Sequence, residues 1–172
     1  MKRFLNLVMS WSYWRSRTDN LFINEKFFIE NFDEIPNYAI ELHKKWRYKN
    51  DGMAGILNYI NPPPIAVELE TGDCDDFASN IYHVSNKFNP YLFTYFPKKI
   101  SKAHTIVVMV IDNQYHIINW SKYHVFDTLE YLHQYLELYA KSPIVSTHWA
   151  QYDYKKGRFL SVETPQLLKY ID

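Results

Sequence analysis

The stretch LETGDCDDFASN, residues 69–80, carries the only cysteine of the chain. Cys74 follows a Gly-Asp pair and precedes two more aspartates. Phe77, Ala78, Ile81 and Tyr82 then recur at helical spacing and form an inward face. Thr71 or Asp73 can cap this helix, and Asp75 and Asp76 fall in its first turn, where acids suit the helix dipole. Cys74 is therefore expected at the first helical position, its sulfur near unpaired backbone N–H groups. A thiol so placed is a candidate nucleophile, because a helix N-terminus and a nearby imidazolium both favour ionisation. Asp73, Asp75 and Asp76 oppose that ionisation, so a histidine partner is required.

Of seven histidines, His104 stands at the mouth of an apolar, β-branched run, Thr105 to Ile111. Asp112 and Asn113 are turn formers, and Tyr115 to Trp120 reads as the returning strand. With a two-residue loop, Ile111 opposes Gln114 and His104 opposes Ser121. Asn119 is then a diagonal neighbour of His104 on the same face, within reach of its ring. A slip of one residue would send Asn119 to the other face. The expected constellation is a thiol on a helix start, an imidazole on a strand and a carboxamide on the next strand. That is the geometry of Cys–His catalysis, with Asn119 fixing the tautomer of His104. The remaining histidines read as structural or solvated: His43, His83 and His133 on helices, His116 on the second strand, His124 in a connector and His148 opening a late strand.

These residues resemble the transglutaminase-like superfamily, and most closely its bacterial transglutaminase-like cysteine peptidases. Members carry Gly-Asp-Cys-(Glu/Asp)-Asp-(Tyr/Phe)-Ala at a helix start, and Gly72 to Ala78 match it at seven consecutive positions. A histidine opens a downstream strand, matched by His104 about thirty residues on, and an aspartate follows some fifteen residues later, where this chain has Asn119. Trp46 and INPPPIAVELETGDC fill the places of an upstream tryptophan and a Pro-containing stretch. The likeness covers about residues 40 to 125. It implies a papain-like α+β fold, attack by Cys74 on an amide or ester carbonyl, and a thioester intermediate. Asn119 cannot stabilise an imidazolium by charge as aspartate does, yet an amide still orients the ring. The Cys74 backbone N–H is the default oxyanion donor; Trp46 or Asn61 is a candidate side-chain donor, and Trp46 and Asp76 are candidate supporting residues.

The elements that must position this site can be read around it. Tyr38, Leu42 and Trp46 form an apolar stripe within a helical stretch over residues 21–50, with Pro36 near a start and Asn50, Asp51 and Gly52 at a stop. Leu21 to Phe32 is also helix-like. NPPP at 61–64 predicts an extended connector. DTLE at 127–130 resembles a capping box that opens a helix through Leu129, Leu132, Leu136 and Tyr139. IVSTHWAQYDYKKGRFLSV predicts two further strands with Lys156 and Gly157 near the turn. Helices followed by mostly antiparallel strands give an α+β class. At 172 residues the chain is one domain overall, with residues 1–36 as an N-terminal helical or docking segment and 37–172 as the catalytic-type domain.

Composition limits the partners. Nineteen basic residues balance nineteen acidic ones, which argues against a nucleic-acid ligand. A single cysteine excludes an intrachain disulfide and a cysteine-based zinc site. Asp73, Asp75, Asp76 and His104 are not expected to converge on a metal, because successive helical residues diverge by about 100°. No cofactor is called for. No apolar run reaches the length of a membrane span, and the basic tip with FLNLVMSWSYW lacks the features of a signal peptide. The expected partner is a peptide or protein substrate, cell-wall peptides included, and the expected location is cytoplasmic, or virion-associated for a phage protein. A competing reading is a catalytically weak or inactive domain serving protein binding or assembly, which the 15 tyrosines would suit.

Overall fold

The computed structural model describes residues 27–49 and 60–167. Most of the expected N-terminal segment, including FLNLVMSWSYW, and the stop at Asn50, Asp51 and Gly52 lie outside the described residues. Helix α1 (Glu34–Lys45) leads into a two-residue strand, β1 (Arg47–Tyr48). One helical turn, α2 (Pro63–Ala66), and a second short strand, β2 (Thr71–Gly72), precede helix α3 (Cys74–Val84). Strands β3 (Tyr91–Pro97), β4 (His104–Ile111), β5 (Gln114–Asn119) and β6 (Lys122–Phe126) follow. Helix α4 (Leu129–Ala140) and strands β7 (Ile144–Asp153) and β8 (Arg158–Val162) complete the order. The six long strands form one antiparallel sheet, β6-β5-β4-β3-β7-β8, and β1 pairs with β2 in parallel. The class is α+β, as expected.

The alternation of strand side chains builds a core on each face of the sheet. On one face Val107, Met109, Ile118 and Leu92 pack with Phe77, Ala78 and Ile81 of α3 and with Ile35, Ala39 and Leu42 of α1. On the other face Phe93, Tyr95, Ile106, Val108 and Ile117 pack with Leu132, Leu136 and Ala140 of α4. Both faces of β4 are covered, which explains its unbroken apolar run. The expected hairpin register holds from Ile111–Gln114, around Asp112 and Asn113 with left-handed φ, to Val107–Ile118; the expected pairing of His104 with Ser121 does not form, because Trp120 and Ser121 turn the chain into β6.

Several local expectations are corrected. The prolines of NPPP do not force an extended connector. Pro63 and Pro64 occupy the first two positions of α2, where a missing N–H breaks no helical bond. Helix α1 starts at Glu34, and residues 28–32 are not helical; there the Asn31 side chain accepts the Asp33 N–H and forms a local turn. Trp46 is the extended C-cap of α1 rather than part of its stripe. His124 lies in β6, and His148 lies within β7 rather than at its start. Thr128 caps α4 by accepting the Tyr131 N–H, so that helix opens one residue later than a box starting at Asp127.

Candidate active site

The GDCDDFA segment folds as it does because each residue has a separate physical task. Asp73 is the N-cap of α3, and its carboxylate accepts the Asp75 N–H at 3.1 Å. Cys74 is therefore the first helical residue, as expected. Asp76 accepts both the backbone and side-chain N–H groups of Asn61, at 3.0 and 2.8 Å. Ser79 donates to the Asn61 carbonyl at 2.6 Å, and Asn80 donates to the Ala66 carbonyl at 2.9 Å. The polar side of α3 thus fastens the 61–66 segment beside it. Gly72 has φ +152°, and a Cβ there would lie 2.3 Å from Asp76 Oδ2, so only glycine leaves room for this carboxylate. The Gly72 carbonyl accepts the Trp46 indole N–H at 3.1 Å, and Phe77 packs edge-on against the Trp46 ring.

The His104 ring is buried at the start of β4. Its Nε2 lies 2.8 Å from Asn119 Oδ1. An amide oxygen only accepts, so Nε2 carries the proton and Nδ1 keeps the lone pair. Asn119 ends β5 and is 1% exposed. Its Nδ2 donates to the Tyr135 hydroxyl at 3.4 Å, which orients the amide with its oxygen toward His104. Trp120 and Tyr139 each lie near-parallel to the imidazole, at centroid distances of 5.7 Å, and Tyr95 meets it edge-on at 5.9 Å. Trp120 has φ +54°, a strained conformation for a bulky residue. Its contacts with Phe77, His43, Tyr48 and His104 hold it there.

Cys74 opens α3, which packs against the sheet. The β4–β5 ladder ends at Val107–Ile118, and the Thr105 and Cys74 backbone N–H groups favour the ionised form of the Cys74 thiol. Cys74 remains partly open to solvent. Burial in dense surroundings pushes its thiol well up, the Asp75 and Asp73 charges add to this, and the two N–H groups oppose it. Burial lowers the pKa of His104, against the Asn119 bond and the Asp73 charge, which raise it. The resting pair near neutral pH is therefore a thiol and a neutral imidazole.

The structure brings His104 and Asn119 into hydrogen-bond contact and sets Cys74 at the start of α3, the helix whose Phe77, Ala78 and Ile81 pack on the sheet. Asp76 stands behind the Cys74 turn. Trp46 is tied to that turn through Gly72, with its N–H already engaged. Asn61 is held by Asp76. Asp73, Asp75 and Asp76 each bring one carboxylate oxygen within 4.8 Å of the others, closer than the expected divergence. The reason is that Asp73 lies outside the helix as its cap and folds over the first turn, while Asp76 is engaged by Asn61. Sequence reasoning did not single out Trp120, Tyr95, Tyr135 or Thr105 as site residues. Tyr135 and Tyr139 sit four apart on α4, a spacing that signals a shared face; Tyr95 joins the site only through its register opposite His104.

A helix-borne thiol and an antiparallel sheet that carries an imidazole with its amide partner are consistent with a transglutaminase-like fold. A family model described as a transglutaminase-like domain matches residues 12–147, and the chain belongs to that family. Membership supports placement among cysteine-dependent hydrolases or transferases. No curated protein matches the chain. Among the described residues no helix is long and apolar enough to cross a membrane.

Proposed function

We propose that the chain is a cysteine-dependent hydrolase or acyl transferase acting on an amide bond, peptide or isopeptide, through a thioester. The observation that carries this reading is the 2.8 Å bond from His104 Nε2 to Asn119 Oδ1, together with Cys74 at the first position of α3. That bond leaves Nδ1 as the ring nitrogen able to accept a proton. The resting pair is neutral, so His104 acts as a general base during attack rather than as half of a preformed ion pair. The S–H proton passes to Nδ1 as sulfur bonds to the carbonyl carbon. Negative charge collects on the carbonyl oxygen, near the Cys74 N–H at the start of α3. The C–N bond then breaks, and protonated His104 gives its proton to the departing amine. Water, or an acceptor amine, attacks the thioester after losing a proton to His104, and the thiol re-forms.

Asn119 fixes the imidazole, Asp76 holds the Cys74 turn through Asn61, and Trp46 supports Gly72. Peptides, including cell-wall cross-links, fit the chemistry, and the protein acts in the cytoplasm, or on a virion if its source is a phage. Incubation with peptides or peptidoglycan fragments, followed by intact-mass measurement, tests the reading. The expected result is an acyl adduct on Cys74 and released amine, both lost in Cys74→Ser. Absence of adduct and product across a broad peptide and peptidoglycan set contradicts it.

Burial, with the Asp75 and Asp73 charges adding to it, keeps the thiol protonated and favours one second reading. In it the domain is catalytically silent and serves protein binding or assembly.

A further inference from the structure

Tyr48 and Gly72 are direct partners across the parallel strands β1 and β2, and Gly72 stands two residues before Cys74. Neighbouring strands lie about 4.8 Å apart, so Tyr48 sits beside the turn that leads into the thiol. The residue is 64% exposed. Its ring meets the Trp120 ring at 6.2 Å, and Trp120 in turn stacks on the His104 imidazole at 5.7 Å. Phe77, one turn beyond Cys74 on α3, reaches the same indole at 4.9 Å. Tyr48 is thus tied to the cysteine turn through its backbone and to the histidine through one indole. Single exposed aromatic residues are common and need no explanation. Tyr48 differs because its ring continues, through half-buried Trp120, a contact surface that ends on the candidate base. Trp120 holds φ +54° in the turn between β5 and β6, where glycine or asparagine would sit without strain. That turn does not require an indole.

We propose that Tyr48 is a specificity-determining residue, which with Trp120 forms an aromatic shelf for a large apolar or aromatic side chain of the peptide substrate. The inference rests on the proposed nucleophilic role of Cys74 and deepens it by naming the class of side chain beside the bond attacked. Tyr48 makes and breaks no bond; it acts by holding the substrate next to the Cys74 turn. An aromatic side chain laid against two rings gains attraction beyond the area it buries. Trp120 is already fixed by contacts with His43, Tyr48, Phe77 and His104, so binding costs it little rotamer freedom. A small side chain covers too little of the shelf to gain much. Arg47 and Lys49, both exposed, flank Tyr48 in the chain, and their charge disfavours a lysine or arginine that could otherwise rest on the rings.

The test compares Cys74 alkylation by N-benzyliodoacetamide and by iodoacetamide at pH 7, in the full chain, with glutathione as the reference thiol. With both reagents the S–C bond forms, the C–I bond breaks and iodide leaves, so the ratio of the two rates reads the benzyl group. In wild type that ratio should exceed the glutathione ratio by roughly three- to tenfold. Tyr48→Ala should bring it down to the glutathione value, and Tyr48→Phe, which keeps the ring, should retain it. A merely structural role for Tyr48 would change both rates together and leave the ratio in place. A second measurement needs no variant: N-acetylphenylalaninamide should protect wild-type Cys74 from iodoacetamide, and N-acetyllysinamide should not. A wild-type ratio equal to that of glutathione, a Y48A ratio equal to that of wild type, or equal protection by the two amides overturns the proposal. Wild type reacting with iodoacetamide no faster than glutathione is a separate outcome that overturns the nucleophile reading itself, and this inference with it.

Discussion

Asn119→Asp restores the carboxylate that the family usually places beside the histidine, and its effect can be worked from the structure. His104 Nε2 is 2.8 Å from the amide oxygen, and both side chains are buried, at 8% and 1% exposure. Burial now lowers the His104 pKa below the ordinary imidazole value of 6.5. A carboxylate at this distance favours the protonated ring, and opposite charges within about 4–6 Å shift a pKa by roughly 1–3 units. His104 must be neutral to accept the thiol proton. The rate of Cys74 alkylation should therefore rise with pH through the His104 pKa, and the acid limb of N119D should lie about 1–3 pH units above that of wild type. In energy this is roughly 1.4 kcal/mol per unit. The Tyr135 hydroxyl can rotate to donate to the new carboxylate, so the local bonding survives. Iodoacetamide pH–rate profiles read the shift, and an NMR titration of the His104 ring assigns it. An acid limb that stays in place, or moves to lower pH, refutes the reasoning that the 2.8 Å contact controls the base.

Other predictions follow from the same packing. Gly72→Ala puts a methyl group against the Asp76 carboxylate and should break its hold on Asn61, destabilising the fold by about 2 kcal/mol or more in urea unfolding while slowing Cys74 labelling. Unchanged stability would mean that Asp76 does not anchor the turn. Tyr135→Phe removes the acceptor of Asn119 Nδ2 and should cost about 1 kcal/mol of stability. It should also slow labelling severalfold, whereas Tyr135→His, which keeps a polar atom, should recover part of the rate. Burial lowers the pKa of His104, His116, His124, His133 and His148. Their pKa values are lower folded than unfolded, so the unfolded chain binds more protons and stability rises with pH. The stability is present above about 6.5, the unfolded imidazole value, and is lost as pH falls below it. The melting temperature should drop between pH 7.5 and 5.5, and a flat profile would contradict the assignment.

Much of the site was legible because its geometry depends on short-range rules. Helix capping by Asp73 and the dipole preference for acids put Cys74 at the first helical position without any tertiary contact. A two-residue turn at Asp112–Asn113 fixed the hairpin register, and that register carried Asn119 to His104. Resemblance supplied the fold in which the helix and the hairpin meet. What stayed hidden depends on long-range pairing. Strand β3 lies at the centre of the sheet, yet NPYLFTYFPKK is apolar on both faces and shows no alternation that marks a strand. Without β3 nothing places Tyr95 opposite His104. Trp120 has a left-handed backbone that no local preference predicts, held by rings from four different segments. The three consecutive prolines show the limit of a local rule, since a proline breaks the interior of a helix but suits its first turn.

The most direct measurement is the rate at which iodoacetamide modifies Cys74 at pH 7 in wild type and in His104→Ala, followed by intact mass. The account predicts that wild type reacts well above an ordinary cysteine although its thiol is held protonated, and that the alanine variant loses that advantage by on the order of a hundredfold. Equal rates in the two proteins would show that the imidazole does not serve the sulfur, and would leave the domain as a binding fold with an inert thiol.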